Sequence, residues 1–144
     1  MTLYLETSSV VKLYVAEPGS DAVRMLAGAA SVIATSSIAY TECRAAMARR
    51  LRERTLRPAA FASAKTAFED EWSKFFVVEI TLALCRQAAE LAERYRLRAY
   101  DSVHLAAFAD VARAAGVRDT RFSSFDQALN RAADSLSRVL SRGR

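Results

Sequence analysis

The chain has 144 residues, 52% of them apolar and 26% charged, with a net charge of +5. That length bounds it to one domain able to bury a core, the apolar fraction excludes wholesale disorder, and no apolar stretch reaches the roughly 18 residues of a membrane span. The positive balance comes from 18 Arg and 3 Lys against 16 acids, which permits a polyanionic partner without establishing one.

Met1 leads straight into an apolar run, with no basic segment and h-region before it, so a cytoplasmic protein is expected. Leu3, Tyr4 and Leu5 stop abruptly at Glu6, and Thr7, Ser8 and Ser9 precede a new apolar pattern. That reads as strand, turn, helix, with a carboxylate at the strand tip where open α/β sheets place functional groups. The helix Ser8 to Val15 is broken by Glu17, Pro18 and Gly19, and Ser20 caps the next one through about Ala29. Val32, Ile33 and Ala34 repeat the plan, ending in Thr35, Ser36 and Ser37. A long helix follows from Ser37 to about Arg54, carrying Glu42, Arg44, Arg49, Arg50, Arg52 and Arg54.

Pro58 opens a helix through about Lys74 with Phe61, Ala64, Phe68 and Trp72 at helical spacing, so an αα-hairpin stands between strands. Phe75 to Ile80 reads as a third strand, and Thr81 caps a helix through about Tyr95. Arg98 to Ser102 opens a helix that ends at Gly116, a residue suited to a left-handed cap. Arg121 to Ser123 makes a last short strand, and Ser124, Phe125 and Asp126 lead into a final helix ending near Ala133. Residues 1–133 form the domain and 134–144 a basic, frayed C-terminal tail. The alternation predicts an α/β fold, a three-layer sandwich with a short, mainly parallel sheet flanked by helices.

Four acids fall where such a sheet gathers ligands. Glu6 ends the first strand, Glu42 lies in the first turns after the second, Asp101 opens a helix, and Asp126 follows the last strand. Clustered carboxylates repel unless neutralised, and hard oxygen donors select Mg2+ or Mn2+. A phosphodiester is the natural substrate of such a site. Each acid also has a plain structural reading as a helix-terminal or capping residue, an interaction of about 0.5–2 kcal/mol.

Other residues read structurally. His104, the single histidine, lies three residues beyond Asp101 and reads as a packed or hydrogen-bonded helix residue rather than a general base. Cys43 and Cys85 lack partners at metal spacing and read as buried or half-buried thiols. Glu69, Asp70 and Glu71 point in different directions and read as solvated, while Tyr40, Phe68 and Trp72 read as core.

The stretches YLETSSVVKLYVAEPGS, SSIAYTECRAAMARR, RAYDSVHLAAFADVA and FSSFDQAL together resemble the PIN-domain ribonucleases, and within them the VapC-type toxins of VapBC toxin–antitoxin pairs. The resemblance covers nearly the whole chain. It implies an Mg2+- or Mn2+-dependent endoribonuclease whose metal-activated water cleaves RNA and leaves a 5′-phosphate. By position, Glu6, Glu42, Asp101 and Asp126 would be the acidic set, with Glu6, Asp101 and Asp126 on the metal and Ser8 and Ser124 ordering the site. The resemblance also implies a VapB-type antitoxin laid across the acids and a homodimer built on apolar residues of the αα-hairpin. Arg44, Arg49 and Arg50 are candidate contacts to RNA or antitoxin.

One departure stands out. The family opens with LDTS where this chain has LETS. Glu is one methylene longer, and Mg2+ demands near-octahedral geometry at about 2.0–2.1 Å. A misplacement of about 1 Å can cost on the order of 100-fold in rate. The expectation is a folded domain with weakened cleavage, or alternatively a silent module that binds antitoxin or RNA without cutting. A phosphoacceptor receiver domain also gathers acids at strand ends, but it needs adjacent acids after the first strand and a late Lys, and the chain has neither.

Overall fold

Leu3, Tyr4 and Leu5 are all fully buried, because the strand that carries them lies inside the sheet and is covered on both faces. In the computed structural model, which describes residues 1–143, this strand β1 (Thr2–Leu5) pairs in parallel with β2 (Val32–Ser36) on one side and β4 (Thr120–Ser123) on the other. Strand β3 (Phe76–Val78) extends the sheet beyond β2, giving the order β3-β2-β1-β4, all parallel. Leu3 sits opposite Ile33 and Arg121.

Alternation along β1 builds the three layers. Leu3 and Leu5 pack with α1 (Thr7–Tyr14), α2 (Ser20–Ala29), α3 (Ile38–Arg52) and α4 (Pro58–Glu71), around Val10, Val23, Met47 and Phe68. Tyr4 points the other way, among α5 (Leu82–Tyr95), α6 (Ala99–Ala115) and α7 (Gln127–Arg142). Its ring stacks on Phe122 at 5.6 Å between centroids and meets Phe108 edge-on at 6.0 Å. Burying each such side chain stabilises the fold by about 1.5–3 kcal/mol. The α/β sandwich expected from the alternation is the fold observed.

The structure departs from several local expectations. The final helix does not end near Ala133 but continues through Arg142, because Leu129, Ala132, Ala133 and Leu136 form one buried stripe and Leu140 packs against the same cluster. Ser20 is the first residue of α2 rather than its cap; Gly19 precedes it at φ 92°, and Ser20 Oγ donates to Val15 O at 2.8 Å. Gly116 closes α6 at φ 101° and ψ 126°, a positive φ outside the left-handed helical region. Helix α4 stops at Glu71 and a single 3-10 turn, Trp72–Lys74, leads into β3. Cys43 is buried but Cys85 is exposed.

Glu69 and Asp70 are exposed, as expected, while Glu71 is half-buried. Tyr40 donates its hydroxyl proton to Glu69, and Tyr14 donates to Glu71 at 2.9 Å. The hairpin of α3 and α4 turns its large apolar groups inward: Phe68 is fully buried, and Phe61 and Trp72 pack against the same core. No large exposed hydrophobic among the described residues belongs to these two helices, and Ile38, Leu51 and Phe61 are half-buried. None of the described helices is long and apolar enough to cross a membrane.

Candidate functional site

The strand order turns at β1: β2 leads away on one side and β4 on the other, so the carboxyl end of β1 is where an open parallel sheet leaves a crevice. Glu6 stands there. Its N–H donates to Ser123 O at 3.0 Å, extending the ladder by one residue. Its Oε2 accepts from Ser8 N at 2.9 Å and from the Ser8 hydroxyl, capping α1. Ser8 Oγ in turn accepts from Phe125 N at 2.9 Å. One serine thus joins the turn that holds Glu6 to the turn that holds Asp126.

Asp126 caps α7 through Oδ1, which accepts from Leu129 N at 2.9 Å, and its own N–H donates to Ser124 Oγ at 3.0 Å. Asp101, in the first turn of α6, accepts from Arg98 Nε at 3.3 Å. The other end of the same guanidinium lies 4.0 Å from Asp126 Oδ2. Arg98 therefore bridges two acids that the sequence reading pairs with a metal. That residue was missed, although its place three positions before Asp101 is the spacing of a helical ion pair.

Glu42 faces Glu6 across an open cleft of about 810 Å3, which Thr7, Ser8, Arg49 and Arg50 also line. Glu42 Oε1 accepts from Thr7 Oγ1 at 2.7 Å and lies 2.8 Å from His104 Nε2. Burial works against this carboxylate, yet the bonds from His104 and Thr7 outweigh it and hold its pKa below the usual value. Behind it, His104 Nδ1 meets the Tyr4 hydroxyl at 2.9 Å. Burial, reinforced by the charges of Glu6 and Glu42, pushes that hydroxyl well above the ordinary phenol value. His104 is hydrogen-bonded and buried, as its reading as a helix residue required. What it contacts was not legible, because Tyr4 lies 100 residues away.

The three arginines offered as RNA or antitoxin contacts are engaged within the chain. Arg50 grips Glu17 with two bonds of 3.0 and 3.1 Å, Arg49 pairs with Glu53 at 2.9 Å, and Arg44 pairs with Glu69. Glu17 also receives Lys12 at 2.9 Å. Burial raises the Glu17 pKa, but these two cations outweigh it and leave it low.

In donor chemistry the four acids fit a hard divalent cation. Among the described residues each keeps one carboxylate oxygen that accepts no hydrogen bond, while the other caps a helix or meets a neighbour. In spacing they are not closed round a common point: no group of three His, Cys, Asp or Glu among the described residues is placed to hold a metal. The Arg98 guanidinium supplies the positive charge between Asp101 and Asp126 instead.

Comparison with known proteins agrees with this architecture. The PIN domain family model matches residues 3–134. Ribonuclease VapC45 of Mycobacterium tuberculosis (strain CDC 1551 / Oshkosh) is 36% identical over 104 residues, covering 72% of each chain, and Ribonuclease VapC49 of Mycobacterium tuberculosis (strain ATCC 25618 / H37Rv) matches to the same extent. The crystal structure of Mycobacterium tuberculosis VapC20, described as a sarcin-ricin loop cleaving toxin, superposes with a TM-score of 0.66 over 90% of this chain and 94% of that one, at 21% identity. The chain belongs to the PIN domain family, among the VapC proteins.

Proposed function

We propose that this protein is an Mg2+- or Mn2+-dependent endoribonuclease acting as the toxin of a toxin–antitoxin pair, with cleavage weakened by Glu6. The observation that carries the reading is the position of Glu6, Glu42 and Asp126 at the carboxyl edge of the sheet, joined to Asp101 through Ser8, His104 and Arg98, in a chain of the VapC family. Glu6, Asp101 and Asp126 would hold the ion. When bound, such an ion supplies an acidified water and charge stabilisation on a phosphodiester.

The chain's own residues do the rest. Ser8 fixes the Glu6 carboxylate against the Asp126 turn, and Ser124 holds the backbone of Asp126. Thr7 and His104 hold Glu42 by one oxygen. RNA would enter by the cleft that Glu6 and Glu42 line, with Arg49 and Arg50, held there by Glu53 and Glu17, as its candidate phosphate contacts. A VapB-type antitoxin would inhibit by covering the same acids.

A second reading keeps the fold and removes the chemistry. Glu6 in place of the family's Asp, longer by one methylene at a site where Mg2+ demands near-octahedral geometry, favours a module that binds antitoxin or RNA without cutting. RNA cleavage by the native chain and by Glu6→Asp, with and without Mn2+, separates the two. Metal-dependent cleavage by the native chain supports the enzyme, and cleavage by neither form removes it.

A further inference from the structure

We propose that His104 is a positioning residue for Glu42, held in a single tautomer by Tyr4, so that the Glu42 carboxylate presents one fixed oxygen to the cleft. The inference deepens the nuclease reading and rests on it for its effect on rate. The contact between His104 and Glu42 stands independently of that reading.

The Tyr4 proton fixes the tautomer. The Tyr4 hydroxyl is fully buried and its one hydrogen-bond partner among the described residues is His104 Nδ1, at 2.9 Å. A phenol that keeps its proton donates it there, so Nδ1 is the acceptor and Nε2 carries the ring proton. Nε2 faces Glu42 Oε1 at 2.8 Å and Thr7 Oγ1 at 3.0 Å. Thr7 spends its own proton on the same Glu42 oxygen at 2.7 Å. Every donor then has an acceptor, and Oε1 of Glu42 receives two protons from groups fixed in the core.

The consequence is directional. The His104 side chain is 1% exposed and cannot reach a substrate, whereas the Glu42 side chain is 28% exposed and lines the cleft with Glu6. With Oε1 tied from behind, Oε2 is the oxygen left toward the cleft. The relay runs from β1 through α6 to α3, so the central strand sets the orientation of an acid on a helix beyond the sheet. Partners of this kind, one layer behind a working carboxylate or histidine, typically change activity by about 10- to 100-fold when removed.

The first test is spectroscopic and needs no substrate. His104 is the only histidine, so a 15N-labelled sample shows one pair of ring nitrogens. The expected spectrum has Nε2 protonated and Nδ1 unprotonated. Glu42→Gln moves the Nε2–H resonance, and Tyr4→Phe mixes the tautomers. A protonated Nδ1 in the neutral ring, or a spectrum indifferent to Glu42→Gln, overturns the proposal.

The second test is kinetic. His104→Leu leaves the Tyr4 hydroxyl buried without a partner, so the double variant Tyr4→Phe/His104→Leu is measured beside it. Both lower kcat for RNA by about 10- to 100-fold with KM little changed. His104→Gln, which keeps a donor near the Nε2 position, recovers most of the loss. Equal loss in Leu and Gln variants that are both folded overturns the positioning role. If the native chain and Glu6→Asp both leave RNA intact, the nuclease reading fails, and the nitrogen spectra still decide whether His104 holds Glu42.

Discussion

Ser8 Oγ accepts a hydrogen bond from Phe125 N at 2.9 Å while donating its own proton to Glu6. This bond couples the start of α1 to the entry of α7, across a sequence separation of 117 residues. Ser8→Ala removes both bonds at once and leaves the Phe125 N–H without its partner. Stability should fall by about 1–2 kcal/mol, read as a lower midpoint in urea. Mn2+ affinity should fall with it, because the Glu6 and Asp126 turns are no longer held together. An unchanged midpoint would show that water replaces the hydroxyl at no cost.

Gly19, between α1 and α2, packs against the same Phe125. Its φ is 92°, and a Cβ there would lie 2.5 Å from Phe125 Cε1. The Phe125 ring also carries the Lys12 ammonium 4.5 Å from its centroid. Gly19→Ala must therefore adopt an unfavourable backbone and push the ring away, at about 1–3 kcal/mol. A midpoint within error of the native one contradicts this packing.

Arg98 stands between Asp101 and Asp126 as the positive charge among the acids. Its side chain is 81% exposed, so its repulsion of an incoming divalent ion is that of a surface charge, about 2 kcal/mol at about 4 Å in water and roughly half that once salt screens it. Arg98→Gln should tighten Mn2+ binding about fivefold, measured by calorimetry. Weaker binding in the variant would mean that Arg98 orders the acids rather than competing with the metal.

Acid and alkali act on different groups. Glu42 and Glu17 have native pKa values below the ordinary carboxylate value, so the unfolded chain takes up their protons first. Their contribution is present above about pH 4.3 and lost as pH falls through the native values. Tyr4 is shifted the other way. Its contribution is complete below about pH 10 and lost as pH rises further, because only the unfolded chain ionises readily. Urea midpoints should decline at both ends, and Tyr4→Phe should flatten the alkaline limb. An alkaline limb identical in Tyr4→Phe would assign it to other groups.

Much of this arrangement was legible in the chain. Leu3 to Leu5, cut off by Glu6 and followed by hydroxyls, announces a buried strand with a capped helix behind it, and Thr81 caps α5 as its position implies. The failures have physical causes. The Ser and Arg of residues 134–144 suggest fraying, but Leu136 and Leu140 continue the stripe begun at Leu129 and pin the helix to the core. Spacing, not composition, decides there. Glu69, Asp70 and Glu71 do point apart, yet two of them find tyrosine hydroxyls on α1 and α3, which no local pattern reveals. The bridge of Arg98 to Asp126 and the contact of Tyr4 with His104 are long-range products of the fold, invisible until the strands are ordered.

In the function we propose, Glu6, Glu42, Asp101 and Asp126 form one metal-dependent site for RNA cleavage, impaired at Glu6. The direct measurement is Mn2+ calorimetry with RNA cleavage on the native chain, Glu6→Asp and Asp101→Asn, each confirmed folded. The account predicts weak binding and slow cleavage by the native chain, a gain of on the order of 100-fold in rate for Glu6→Asp, and loss of both for Asp101→Asn. Binding and cleavage by Asp101→Asn at native levels, or no gain from Glu6→Asp, would contradict it.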